Sequence, residues 1–168
     1  MIEDLRVGSS HNDWILNPER LNQIVQSVLR VMERNSFCQA SIDAIVCSGV
    51  SGAGVAFPLS MLTRIPVFIV RKEREQSHSS CNVECSSIAT FQKRTLNYLV
   101  VDDFICSGAT VQRILDYMTS IKSRYHEVKN INCQGLLLYM NHHENSSNDG
   151  YRDRTTDVLI PKFFCLGA

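Results

Sequence analysis

The chain carries no net charge, since 17 Lys and Arg balance 17 Asp and Glu across 168 residues. That balance excludes broad electrostatic attraction to DNA or to an anionic membrane, and no helix-turn-helix or basic stripe stands out. No apolar run approaches the ~20 residues needed to span a bilayer. The first residues, Met1-Ile2-Glu3-Asp4-Leu5-Arg6, lack the apolar core of a signal peptide. Cysteine is not scarce, but paired cysteine is. Seven thiols (Cys38, Cys47, Cys81, Cys85, Cys106, Cys133 and Cys165) are scattered and odd in number, several within apolar runs. This pattern fits reduced thiols in a cytosol rather than a disulfide framework. Cys81 and Cys85 lack the usual zinc spacing and no second pair follows, so they read as loop thiols. Repeats, low-complexity tracts and linkers are also missing. The expectation is a cytoplasmic protein with no membrane or nucleic-acid partner. It should form one domain over residues 1–168, and any phosphate binding must come from local geometry.

Hydrophobic residues make up 44% of the chain, enough for a packed core. Asn17-Pro18-Glu19 reads as a helix start, and Leu21, Ile24, Val25, Val28, Leu29 and Met32 follow at helical spacing. Residues 42–47 form a β-branched run, read as a buried strand. The small, glycine-rich stretch Ser48 to Gly54 joins it to a helix expected over 55–63, in which Pro58 fits only near the start or at a kink. Residues 65–70 are the next strand. Residues 71–96 turn polar and aperiodic, a loop of functional length with at most weak pairing near 87–91. A third strand spans 96–101. Val111, Ile114, Leu115, Met118 and Ile121 mark one face of a helix. A fourth strand lies within 131–140, residues 141–157 read as loop, and 158–166 read as a final strand or lid. Strands alternating with helices predict an α/β fold, Rossmann-like, with a mainly parallel central sheet flanked by helices. Ligands of such sheets bind beyond the carboxyl ends of the strands.

One such end is the most informative stretch of the chain. Tyr98-Leu99-Val100-Val101 ends in two adjacent acids, Asp102 and Asp103, and after Phe104-Ile105 comes Cys106-Ser107-Gly108-Ala109-Thr110, where a helical pattern begins. A small loop at a helix N-terminus offers backbone N–H groups, hydroxyls and a positive dipole end to a phosphate. Adjacent acids suit the hydroxyls of a sugar. A receiver domain carries its acidic pair after the first strand, and a Walker B acid requires an upstream Gly-x-x-x-x-Gly-Lys-Ser/Thr loop that this chain lacks. Neither alternative explains the Ser-Gly-Ala-Thr loop.

The order of strand, Asp-Asp and small Ser-Gly-x-Thr loop resembles the signature of type I phosphoribosyltransferases, which use 5-phosphoribosyl-1-pyrophosphate (PRPP). Two further segments follow the same pattern. The loop Ser48-Gly49-Val50-Ser51-Gly52 stands where that family binds pyrophosphate. Arg71-Lys72-Glu73, with His78 beyond it, resembles the opening of the catalytic loop of orotate and adenine enzymes. The resemblance covers about residues 42–121, with a core of about 40–140. It implies that Asp102 and Asp103 hold the ribose hydroxyls and that Cys106 to Thr110 receive the 5-phosphate. Ser48 to Gly52, with Arg71 and Lys72, would receive the pyrophosphate. Mg2+ is implied as cofactor, held mainly by PRPP, with Asp102 and Asp103 reaching it through water. The loop 73–95 would close over the site, Lys93 and Arg94 ending it either as ligands or as solvated charges. His78 would touch pyrophosphate, supply a proton or simply lie at the surface.

The acceptor implied is a nucleobase-like molecule, recognised by a hood built from 1–40 or 141–168. Ile160-Pro161-Lys162-Phe163-Phe164 resembles the hood of hypoxanthine-guanine enzymes, but Cys106 stands where those enzymes carry an aspartate. Orotate-like bases are slightly favoured by Arg71-Lys72-Glu73 and His78. Relatives often form homodimers. The competing expectation is a non-catalytic sensor of PRPP or a nucleotide on the same fold.

Overall fold

A computed structural model describes residues 12–72, 83–85, 92–140 and 150–165. Four helices and eight strands are present among them. They are α1 (Asp13–Leu16), α2 (Pro18–Arg34), β1 (Ala44–Cys47), α3 (Gly49–Thr63), β2 (Val67–Val70), β3 (Val83–Cys85), β4 (Thr95–Asp102), α4 (Ala109–Arg124), β5 (Asn130–Leu138), β6 (Tyr151–Arg152), β7 (Leu159–Ile160) and β8 (Lys162–Phe164). Six strands form one sheet in the order β3-β2-β1-β4-β5-β8, and β6 and β7 form a separate hairpin. Only the β2–β3 pairing in the large sheet is antiparallel. The α/β fold with a mainly parallel sheet is therefore as the sequence predicts.

Alternation along the strands sorts the core into two layers. Ala44, Val46, Phe68, Val70, Tyr98 and Val100 face α4, where Val111, Ile114, Leu115, Met118 and Ile121 meet them. Ile45, Cys47, Leu99 and Val101 face α2 and α3, against Ile24, Val28, Met32, Val55 and Leu59. α2 starts as expected: the Asn17 side chain accepts a hydrogen bond from the Arg20 N–H (3.0 Å) and Pro18 occupies the first turn. No helix among the described residues is long and apolar enough to cross a membrane.

Several boundaries differ from the sequence-based expectation. The helix after β1 begins at Gly49, not near residue 55, so Gly49 to Gly54 are helical rather than loop, and Pro58 lies well inside α3. Packing overrides weak helix propensity here. A Cβ on Gly52 would stand 2.8 Å from the Val101 carbonyl oxygen and 2.9 Å from the Cys47 Cβ. Only glycine lets the first turn of α3 lie this close to β1 and β4. Gly52→Ala should therefore destabilise the fold by about 1–3 kcal/mol, because backbone cannot yield as a side chain can. Urea unfolding measures this, and an unchanged midpoint would show that α3 has room to shift.

In the polar stretch after β2, β3 turns the chain back along the sheet edge, and the weak pairing expected near 87–91 falls outside the described residues. Within the expected final strand or lid over 158–166, Leu159–Ile160 and Lys162–Phe164 are strands. β8 pairs parallel with β5, and Phe163 meets Phe37 edge-to-face at 5.4 Å. Both aromatics are half-buried and pack against the α2–α3 side of the core.

The connections place the site. The chain leaves β1 through α3 toward β2 on one side, and leaves β4 through α4 toward β5 on the other. β1 and β4 are neighbours, so the sheet order reverses between them. In α/β sheets a ligand crevice opens at that reversal, beyond the carboxyl ends.

Candidate active site

The carboxyl ends of β1 and β4 end in Ser48 and Asp102-Asp103, and the N-termini of α3 and α4 start beside them. A cavity of about 210 Å³ lies there. It is lined by Ser48, Ser51, Lys72, Asp102, Asp103 and the continuous run 104–111. Thus the acid pair, the small loop Cys106 to Thr110, the β1–α3 turn and the basic residue Lys72 after β2 share one cavity, although they are dispersed in sequence.

Two anion-receptive ends face each other across it. Gly108 caps α4 in a left-handed conformation, φ +74°, and makes no side-chain cap hydrogen bond. The first turn thus keeps its N–H groups largely for a ligand, with Ser107 Oγ accepting weakly from the Ala109 N–H (3.3 Å). α3 is likewise without a side-chain cap hydrogen bond, and Ser48 precedes it in extended backbone. The Ser48 side chain is 2% exposed and its Oγ has no hydrogen-bond partner. Burying an unmatched hydroxyl is costly, so this atom points to a ligand that completes it. Gly49 adopts φ +72°, and a Cβ there would stand 2.8 Å from Lys72 Cε and 2.9 Å from Lys72 Nζ. The ammonium group therefore lies against the glycine backbone, at the mouth of α3.

Asp102 is 5% exposed. Burial, then the neighbouring charge of Asp103, pushes its carboxyl up to about 7. Its Oδ1 accepts from the Asp103 N–H at 3.1 Å and from Ser51 Oγ at 3.4 Å. The Tyr139 hydroxyl donates to the Ser51 carbonyl at 2.9 Å, fixing the first turn of α3 to the end of β5. The Asp103 side chain accepts from the Phe104 N–H at 2.9 Å. Beneath the pair, burial and then the charge of Asp102 push the Cys47 thiol up to about 12, which leaves it inert.

Not every expected site residue reaches the cavity. Arg71 is ion-paired with Glu84 of β3, and Lys72 rather than Arg71 lines the wall. Gly49, Val50 and Gly52 shape α3 without lining the cavity. Lys93 is ion-paired with Asp43, which precedes β1 at the far end of the sheet, and so stands apart from the site. Cys106 is exposed on the cavity wall. His78 and Cys81 lie outside the described residues. Sequence reading missed Tyr139, Tyr151, Gln112 and Arg154, which hold the site from behind. Their only sequence signal is polarity beside an apolar run.

The residues present fit a magnesium–diphosphate ligand. Two carboxylates, an unmatched buried hydroxyl, one ammonium and two helix N-termini supply hard oxygen ligands and anion donors together. Two acids can provide only part of a Mg2+ shell, so ligand oxygens and water must complete it.

The acid pair thus stands between two helix N-termini without side-chain caps, at the carboxyl edge of a parallel sheet. The chain belongs to the phosphoribosyl transferase domain family, which it matches over residues 13–132. It is 25% identical over 114 residues to HGPRTase-like protein 1 of Haloquadratum walsbyi, covering 64% of this chain and 58% of that protein. It is 26% identical over 112 residues to a hypoxanthine/guanine phosphoribosyltransferase of Methanothrix soehngenii, covering 61% and 55%. The matches thus span little more than half the length of these relatives. Its fold is similar to that of adenine phosphoribosyltransferase from Saccharomyces cerevisiae, with a TM-score of 0.63 at 17% identity, covering 91% of this chain and 82% of the other. Orotate phosphoribosyltransferase from Aeropyrum pernix gives a TM-score of 0.60 at 14% identity, covering 91% and 74%.

Proposed function

We propose that this protein transfers the 5-phosphoribosyl group of PRPP to a ring nitrogen of a nucleobase and releases pyrophosphate. The observation that carries this reading is the single cavity in which Asp102 and Asp103 separate two helix N-termini. That arrangement has one place for a sugar and one for phosphate at either end of it.

The 5-phosphate sits at the start of α4, against the N–H groups of 108–110 and the hydroxyls of Ser107 and Thr110. Asp102 and Asp103 accept hydrogen bonds from the ribose 2- and 3-hydroxyls. The pyrophosphate meets the start of α3, Ser48 Oγ and Lys72. The base nitrogen attacks C1 as the C1–O bond to pyrophosphate breaks, and the bonding pair leaves with the pyrophosphate. Positive charge grows on the ribose ring beside Asp102 and Asp103, and negative charge grows on the leaving group beside Lys72. Fixed charges aimed at developing charges lower the barrier without reorganisation. When bound through PRPP, Mg2+ supplies further charge neutralisation for the leaving group.

The names of the relatives span hypoxanthine/guanine, adenine and orotate enzymes, so the base is assigned by experiment. Pyrophosphate release is measured with PRPP and Mg2+ against hypoxanthine, guanine, adenine, orotate and uracil. Release with one base and not without it supports the reading. PRPP binding without release for any base would replace it with a sensor of PRPP.

A further inference from the structure

The 5-phosphate loop is closed from behind by the β6–β7 hairpin, which the reaction above does not use. The hairpin turns inward on Asp153, which is 6% exposed. Its carboxylate accepts from the Thr155 N–H (3.0 Å), Thr156 Oγ1 (2.5 Å) and Gln112 Nε2 (2.7 Å). Burial pushes this carboxyl up, but the hydrogen bonds from Thr156, Gln112 and Thr155 outweigh it and hold Asp153 below its ordinary range. Gln112 lies in the first turn of α4, where its backbone N–H donates to the Gly108 carbonyl at 2.9 Å. Its Oε1 accepts from the Arg154 N–H (2.9 Å) and lies 3.1 Å from the Tyr151 hydroxyl. One side chain therefore fastens the hairpin to the helix that receives the phosphate.

The hairpin reaches the loop itself through two carbonyls. Arg154 Nη2 donates to the Ser107 carbonyl at 2.8 Å, and the Tyr151 hydroxyl lies 3.2 Å from the Gly108 carbonyl. The Tyr151 ring also covers Gly108, where a Cβ would stand 2.9 Å from it. A trans peptide is planar, with its C=O and N–H opposed. The carbonyls of Ser107 and Gly108 thus belong to the same peptide units as the N–H groups of Gly108 and Ala109, which in the PRPP reading receive the phosphate. A donor on the carbonyl polarises its peptide and strengthens the N–H on the other side.

We propose that Arg154 and Tyr151, held by Gln112 and Asp153, are positioning residues that orient and polarise the 5-phosphate cradle from behind. The proposal rests on the PRPP reading of the cavity. It assigns the hairpin to 5-phosphate affinity and leaves the pyrophosphate end untouched.

Calorimetric titration separates the two ends, with ribose 5-phosphate as probe of the cradle and magnesium pyrophosphate as probe of the α3 end. Arg154→Met should weaken ribose 5-phosphate about tenfold, the scale of a lost charge-assisted hydrogen bond. Arg154→Lys, which keeps a charged donor, should recover most of that loss. Tyr151→Phe, which keeps the ring and has no charge to remove, should weaken it about two- to threefold. Pyrophosphate should bind all three variants within about twofold of wild type. Unchanged ribose 5-phosphate affinity in folded Arg154→Met overturns the proposal. So does an effect of Arg154 with none from Tyr151, which would mean a direct charge contact, and so does an equal loss for pyrophosphate, which would mean general damage. Wild type that binds neither probe would remove the PRPP reading itself, whereas wild-type binding with indifferent variants removes only the brace.

Discussion

Asp102→Asn should make the protein more stable and, combined with Asp103→Asn, abolish phosphoribosyl transfer. The stability gain follows from linkage. The Asp102 carboxyl stands near 7 in the fold and near 3.8 when unfolded. Between those values the native state holds a proton that the unfolded chain has lost, so wild-type stability falls as pH rises through that window. Above about pH 7 the full cost of the buried charge is present, on the order of 2–4 kcal/mol. The asparagine Oδ1 still accepts from Asp103 and Ser51, so the substitution removes charge and leaves the shape. Thermal unfolding should show the variant ahead of wild type at pH 8 and level with it near pH 4. Transfer should drop by about 1000-fold or more in the double variant, because both the hydroxyl acceptors and the charge facing the cationic ring are lost. Near-normal turnover in a folded double variant would remove the acids from the site. A variant less stable at pH 8 would mean that contacts to the charged carboxylate offset the cost of burying it.

Lys72→Met should lower kcat/KM for PRPP by about 100-fold, the scale of one lost electrostatic stabiliser at a developing charge. The loss should fall on pyrophosphate binding and on turnover, with ribose 5-phosphate binding nearly unchanged, because Lys72 stands at the α3 end of the cavity. Gly49→Ala should act in the same direction through geometry. Its Cβ would stand 2.8 Å from Lys72 Cε and 2.9 Å from Nζ and push them aside, and a non-glycine residue at φ +72° adds about 1–2 kcal/mol of strain. Steady-state kinetics with PRPP varied reads both variants. If Lys72→Met keeps wild-type kcat/KM, the leaving group lies elsewhere.

The three motifs were legible because each sits where a buried parallel strand ends. Apolar runs at 42–47, 65–70 and 96–101 predicted strands, and a parallel sheet brings their carboxyl ends to one edge. What the sequence hid depended on contacts between distant residues. Gly49 to Gly54 look like a loop by propensity, yet they begin α3, with Gly52 packed closely against the Val101 carbonyl and Cys47. Arg71 and Lys72 look equivalent in sequence, but pairing of β2 with β3 brings Glu84 to Arg71 and leaves Lys72 at the cavity. The edge-to-face contact of Phe163 with Phe37 joins residues far apart in sequence and follows from the pairing of β8 with β5. The brace from Gln112 to Asp153 joins residues 41 positions apart, which no local pattern encodes.

The most direct measurement is calorimetric titration of PRPP with Mg2+ into wild type and into the Asp102→Asn/Asp103→Asn variant. Saturable binding by wild type, lost in a variant that remains folded, is the predicted result. A folded wild type that takes up no PRPP, or a variant that binds as tightly, would contradict a sugar-diphosphate site between α3 and α4.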